Sequence, residues 1–129
     1  MRRSFRDGKL VAADLAYRIR AGIFAVGNTL GPRFLEKVYE NALAIELRGV
    51  GLSVRTQVPV QVFYKRQVVG DYLADMLVEE RVLLELKAVR DLRPEHEAQL
   101  LNYLRATKKP VGLLVNFGTT RVQIKRRIL

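Results

Sequence analysis

Asp75 interrupts the apolar stretch Tyr72-Leu73-Ala74-Asp75-Met76-Leu77-Val78, and ten residues later Glu85 and Lys87 interrupt Val82-Leu83-Leu84-Glu85-Leu86-Lys87-Ala88. Burying a lone carboxylate costs several kcal/mol or shifts its pKa, so such a group persists where it has a partner. If Glu79-Glu80-Arg81 is a three-residue loop, Val78 pairs with Val82 and Asp75 lies across from Glu85, with Cβ atoms about 4.5–5.5 Å apart. A two-residue loop would throw them onto opposite faces. Two carboxylates that close repel unless a divalent cation lies between them, and oxygen-only ligands favour magnesium or manganese over zinc. Lys87 would place an ammonium beside that cation, where it could orient a water or stabilise a charged transition state. The plainer alternative is a Glu85–Lys87 or Asp75–Lys87 ion pair on an exposed sheet face.

Other polar residues sit at spacings that could join such a site. His96, Gln99 and Tyr103 share one stripe of a helix, away from Leu100, Leu101 and Leu104. Glu36, Tyr39 and Glu40 stand at i, i+3, i+4 on another. Both patterns also occur on ordinary solvated helices. His96 is the only imidazole and would serve as a general base or phosphate donor, or would simply cap its helix, pack or face solvent.

The elements that must position these residues follow from hydrophobic period. Leu10, Val11, Leu15, Ile19, Ile23 and Phe24 predict an amphipathic helix over residues 8–26, broken by Gly27-Asn28-Thr29-Leu30-Gly31-Pro32. A second helix is predicted from near Arg33, with Pro32 in its first turn, through Leu35, Val38, Ala42, Leu43 and Leu47 to Gly49 or Gly51. The period then changes to two: a hairpin around Lys65-Arg66, then strands 68–78 and 82–89. Val82, Leu84, Leu86 and Ala88 share one face, Glu85 and Lys87 the other. A third helix opens at Arg93-Pro94-Glu95 and ends at Lys108-Lys109-Pro110. The apolar run 111–117 suits a strand covered on both faces, and 122–128 is the last strand. The order read is α-α-β-β-β-β-α-β-β, an α/β (α+β) arrangement of mixed sheet and packed helices with a β-α-β crossover.

The composition narrows the function classes. The chain has 129 residues, which suits one domain over 1–129, and 49% apolar residues, enough for a core. No run reaches the roughly 18–20 apolar residues of a membrane span, and Met1–Asp7 lacks the apolar stretch of a secretory signal, so a cytoplasmic protein is expected. Without cysteine there is no disulfide, thiol nucleophile, Cys-bound zinc or iron–sulfur cluster. The net charge of +10 is uneven: residues 1–33 carry +5, residues 34–103 carry −2 and residues 104–129 carry +7. Basic ends around an acid-containing middle fit a phosphate-backbone binder, or a solvated basic surface. Lys108, Lys109, Arg121, Lys125, Arg126 and Arg127 are the candidate phosphate contacts.

Asp75, then Glu85-Leu86-Lys87, then a helix bearing glutamine, resembles the PD-(D/E)xK nuclease superfamily. Gly31-Pro32-Arg33-Phe34-Leu35-Glu36-Lys37-Val38-Tyr39 resembles the signature that names its GxxExxY family. So do Glu40–Leu43, Val58-Pro59-Val60, His96–Leu104 and Val111–Gly118. The resemblance spans roughly residues 8–128. Ala74 stands where the superfamily motif has its proline. The resemblance implies a restriction-endonuclease-like α-β-β-β-α-β core. It also implies a metal site of Asp75 and Glu85 completed by Glu36, with the Leu86 backbone carbonyl a further ligand. Lys87 would assist catalysis. Gln99 and Tyr103 match the glutamine–tyrosine motif of recombination-type members, and Tyr39 and His96 would support the site. The expected protein is a magnesium-dependent nuclease acting on DNA more than RNA, with manganese as a substitute. The other reading is a non-catalytic nucleic-acid-binding or protein-interaction module that keeps the nuclease fold. An edge strand at 122–128 would also allow a homodimer.

Overall fold

The computed structural model describes residues 12–129, together with the backbone of two short strands, β1 (Phe5–Arg6) and β2 (Lys9–Leu10), which pair antiparallel. Two helices follow, α1 (Ala12–Leu30) and α2 (Glu36–Gly49). Strands β3 (Val54–Tyr64), β4 (Gln67–Val78) and β5 (Val82–Lys87) come next, then helix α3 (Pro94–Thr107) and strands β6 (Val111–Asn116) and β7 (Gln123–Ile128). The five long strands form one sheet in the order β3-β4-β5-β6-β7, parallel between β5 and β6 and antiparallel elsewhere. The crossover through α3 makes the parallel pair, as the sequence predicts.

Two cores lie on the two faces of this sheet. On one, Leu15, Ile19 and Ile23 of α1 and Tyr39, Leu43 and Leu47 of α2 pack on Val82, Leu84 and Leu86. On the other, Leu100, Tyr103 and Leu104 of α3 pack on Leu83 and Leu114. The alternation read along Val82–Ala88 is therefore the alternation that builds the sheet. The mixed five-stranded sheet with helices on both faces is an α+β fold.

Three boundaries differ from the sequence pattern, each for a physical reason. First, α1 begins at Ala12 and runs through Gly27 to Leu30, because Gly31, at φ 73°, takes the left-handed C-terminal position and bonds back to the Gly27 carbonyl at 2.9 Å. Lys9–Leu10 is extended rather than helical, and Gly8 and Val11 lie outside the described residues. Gly27 stays in the helix because the chain passes too close for a side chain: a Cβ there would stand 2.3 Å from Val122 Cγ2. Second, α2 starts at Glu36 instead of Arg33, so Pro32 lies in the loop, and Phe24, Leu35 and Val38, expected in the core, are exposed. Third, three strands, not four, separate α2 from α3, because the partner of β3 in its hairpin is β4 itself. The turn at Lys65-Arg66 takes left-handed φ at both residues, as a two-residue hairpin requires.

The candidate active site

The three-residue loop is confirmed by the register: Val78 pairs with Val82, Leu77 with Leu83 and Met76 with Leu84. The ladder stops there, and Asp75 and Glu85 occupy the fork where β4 leaves β5. Each side chain accepts a hydrogen bond from a main-chain N–H at the fork. Asp75 N–H donates to Glu85 Oε1 at 3.1 Å, and Leu86 N–H donates to Asp75 Oδ2 at 2.7 Å. The two acids are thus fixed by main-chain bonds on strands, which gives more precise placement than a loop.

The fork has a counterpart on β3. Thr56 pairs with Met76 and Val58 with Ala74, which leaves Gln57 opposite Asp75 with φ 53°. A left-handed residue inside a strand resets the alternation of faces. Val54 and Met76 pack with α1 and α2, whereas Val58 and Ala74 pack with α3. The outer half of the hairpin is thereby turned relative to its inner half, and the acids sit at the turning point. Gln57 Nε2 donates to Glu40 Oε1 at 2.6 Å and Lys37 Nζ contacts Glu40 Oε2 at 2.5 Å, so both oxygens of this buried acid are held.

The electrostatics are those of an acid cluster short of positive charge. Burial, followed by the charge of Asp75, pushes Glu85 up to about 8. Burial also raises Asp75, opposed by the Leu86 N–H it accepts and reinforced by the charge of Glu40. Glu36, at the solvent-exposed start of α2, is raised by burial against the opposing pull of Lys87. Lys87 is half-buried on the same face as Glu85, and its Nζ donates to Gln99 Oε1 at 3.4 Å. Gln99 Nε2 in turn donates to the Tyr103 hydroxyl at 3.0 Å. The Lys87–Gln99–Tyr103 chain runs from the strand to the helix above it.

A different clamp holds the chain as it leaves Lys87. Asn116, fully buried at the end of β6, accepts from Val89 N–H at 3.0 Å and Gly118 N–H at 2.9 Å. It also donates to the Val89 carbonyl at 2.9 Å and to Gln123 Oε1 at 3.1 Å. This amide ends β5 at Lys87, two residues sooner than hydropathy predicts. Beside it, a Cβ on Gly118 would stand 2.2 Å from the Val89 carbonyl oxygen, so the two loops touch through backbone.

Glu36, Asp75, Glu85, Lys87 and Gln99 are brought to one end of the sheet. His96 Nδ1 accepts the Arg93 N–H at 3.0 Å, a helix-capping role. Tyr39 is fully buried: its ring stacks on Phe117 at 4.6 Å and its hydroxyl bonds Gly31 O and Phe34 N. It fixes the loop that delivers Glu36 rather than facing the acids. The six basic candidates are not gathered on one surface. Lys125 and Arg127 pair with Glu97 at 2.9 and 2.8 Å and hold its carboxyl below the usual range. Arg126 alternates to the other face of β7 and Arg121 lies in an exposed loop. Lys108 and Lys109 follow the C-terminal end of α3, where β5 and β6 begin, whereas the acids lie toward the strands' other ends. Glu40 and Asn116 lie in segments that carry the family resemblance but are not among the site residues it implies. Glu40 falls on the Tyr39–Leu43–Leu47 stripe, and Asn116 is the one polar residue in an apolar strand, so each had a signal in its spacing.

The donor set is suited to a hard cation. It offers carboxylate and carbonyl oxygens, without a thiolate, from Asp75, Glu85 and the Leu86 main chain. Among the described residues no three His, Asp or Glu side chains form a ready-made cluster. Magnesium does not need one, since it is commonly held by one or two carboxylates and several waters.

A family model described as the PD-(D/E)XK nuclease superfamily matches residues 13–127. The chain belongs to the PD-(D/E)XK nuclease superfamily. No curated protein and no solved structure matches it. Its mixed five-stranded sheet with three helices is consistent with the restriction-endonuclease-like fold of that superfamily, and Asp75 lies on β4 with Glu85-Leu86-Lys87 on β5. No helix of the described residues is long and apolar enough to cross a membrane.

Proposed function

We propose that this chain is a magnesium-dependent nuclease that hydrolyses phosphodiester bonds, with manganese able to substitute. DNA is the proposed substrate ahead of RNA, following the resemblance to restriction-endonuclease-like and recombination-type members. The observation that carries the reading is the pairing of Asp75 with Glu85 at the β4–β5 fork, two residues from the Lys87 ammonium. The GxxExxY branch is proposed on Glu36, Tyr39 and the surrounding sequence. Gly31 stands five residues before Glu36, and Arg33 occupies the position three before it.

Asp75 and Glu85 would hold the cation, with the Leu86 carbonyl as a further ligand and Glu36 approaching from α2. When bound, the ion would polarise a phosphate oxygen and lower the pKa of a water. Lys87 would orient the attacking water and balance the negative charge that builds on the phosphate as the new P–O bond forms and one ester oxygen leaves. Gln99 holds Lys87 on the acid side, and Tyr103 holds Gln99. Such work on nucleic acid is proposed for the cytoplasm, by one domain spanning 1–129.

Cutting of a circular single-stranded DNA, with nicking of a supercoiled plasmid alongside, tests the reading. The wild type is expected to cut in magnesium and to stop in EDTA, and Asp75→Ala is expected to be inert while still folded. Equal cutting by Asp75→Ala would overturn it.

A further inference from the structure

Beyond Val60 the β3–β4 hairpin projects from the sheet, because β4 is paired to β5 only from Met76 to Val78. Between this arm and the outer side of α3 lies a cleft of about 930 Å³. Aromatic rings line it. Phe63 and Tyr72 come from the hairpin and are 59% and 50% exposed, and Tyr103 comes from α3. The Tyr72 and Tyr103 rings stand 5.8 Å apart, tilted by 39°. Gly70 makes room for this: a Cβ there would come within 2.9 Å of Tyr72 Cε2, so the missing side chain lets the ring lie over the hairpin.

Charge and continuity say what such a cleft would hold. Arg105 and Lys108 line its α3 side and are exposed, and Lys65 and Arg66 form the exposed hairpin tip, against Glu95 as the acidic lining residue. A second copy of a chain carrying +10 would meet the same positive rim, whereas a polyanion would be drawn in. Gln99 belongs to the cleft lining and also bonds Lys87, so the cleft opens onto the acid cluster.

We propose that this cleft seats a single nucleic-acid strand, bases against the exposed rings of Phe63 and Tyr72 and phosphates against Arg105 and Lys108, and leads it to Asp75 and Glu85. The proposal rests on the nuclease reading and names its substrate as unpaired. A duplex covers its base planes by stacking on one another, whereas exposed rings at a basic groove are how proteins take hold of single strands without reading sequence.

Fluorescence anisotropy with a fluorescein-labelled oligothymidylate strand, in EDTA to prevent cleavage, tests it. The wild type is expected to bind the strand more tightly than a duplex of equal length. Tyr72→Ala, at an exposed site, is expected to weaken strand binding by about 5- to 100-fold, and Tyr72→Phe to leave it unchanged. Strand binding indifferent to Tyr72→Ala overturns the inference, as does a duplex bound equally well, or sedimentation showing a dimer that Tyr72→Ala dissolves. Asp75-dependent cutting with Tyr72-independent binding would sink this inference and leave the nuclease reading standing. Tyr72-dependent binding without metal-dependent cleavage would do the reverse.

Discussion

Asp75 and Glu85 are locked together through backbone: the Asp75 N–H donates to Glu85 Oε1, and the neighbouring Leu86 N–H donates to Asp75 Oδ2. The β4–β5 ladder ends at Met76–Leu84, and just beyond it the two carboxylates accept main-chain N–H bonds. The acids therefore cannot turn away from each other without leaving main-chain N–H groups unpaired, which costs about 1–3 kcal/mol each. Their mutual repulsion is built into the fold, and its consequences can be measured.

Stability should fall as pH rises. Below the ordinary carboxylate pKa of 4.5, Glu85 is protonated in both the folded and the unfolded chain. Between there and about 8 only the folded chain keeps the proton. The stabilisation is complete at the acid end and is lost as pH climbs through that window, with a slope of up to about 1.4 kcal/mol per pH unit. The raised Asp75 acts in the same direction. Thermal unfolding in EDTA at pH 5 and pH 8 should show the loss, and Glu85→Gln should flatten it.

Divalent cations should reverse that trend. A ligand carboxylate must be ionised, so magnesium or manganese binding would displace the Glu85 proton. Calorimetric titration near pH 7 in two buffers of different ionisation enthalpy should give different apparent heats for the wild type. The difference should disappear in Glu85→Gln, together with most of the affinity.

How much of this was legible beforehand can be seen at particular residues. A side-chain period of two left two outcomes for Asp75 and Glu85, one for a three-residue loop at Glu79-Glu80-Arg81 and one for a two-residue loop, and the Val78–Val82 pairing decides for the first. The reset of faces at Gln57 was not legible: its left-handed φ answers to its bond with Glu40, a contact 17 residues away. Gly27 looked like a helix breaker, yet the close approach of Val122 needs it inside α1. Basic residues were visible as a count, but pairing and face decided their use. Glu97 takes up Lys125 and Arg127, whereas Arg105, outside the six candidates, lines the cleft.

Asn116 should matter to stability and to the site together. Asn116→Ala strips partners from Val89 N–H, the Val89 carbonyl and Gly118 N–H in a fully buried place. A loss of about 2–4 kcal/mol is expected from chemical denaturation. Cleavage by the folded fraction should also slow, since the clamp sets where the chain leaves Lys87.

Gln99 acts through Lys87. Gln99→Ala is expected to lower kcat by about 10- to 100-fold, the usual range for a residue that orients a neighbour, with little change in KM. Gln99→Glu, which still offers an acceptor to the ammonium, should recover part of that loss. Equal losses in both variants would contradict a positioning role.

The most direct measurement compares magnesium-dependent cleavage by the wild type and Lys87→Ala at equal concentrations of folded protein. The account predicts that the wild type cuts and that Lys87→Ala is slower by about 100-fold or more, with its metal affinity retained. Equal rates for the two proteins would contradict it, because hydrolysis would then owe nothing to the amine beside the acid pair.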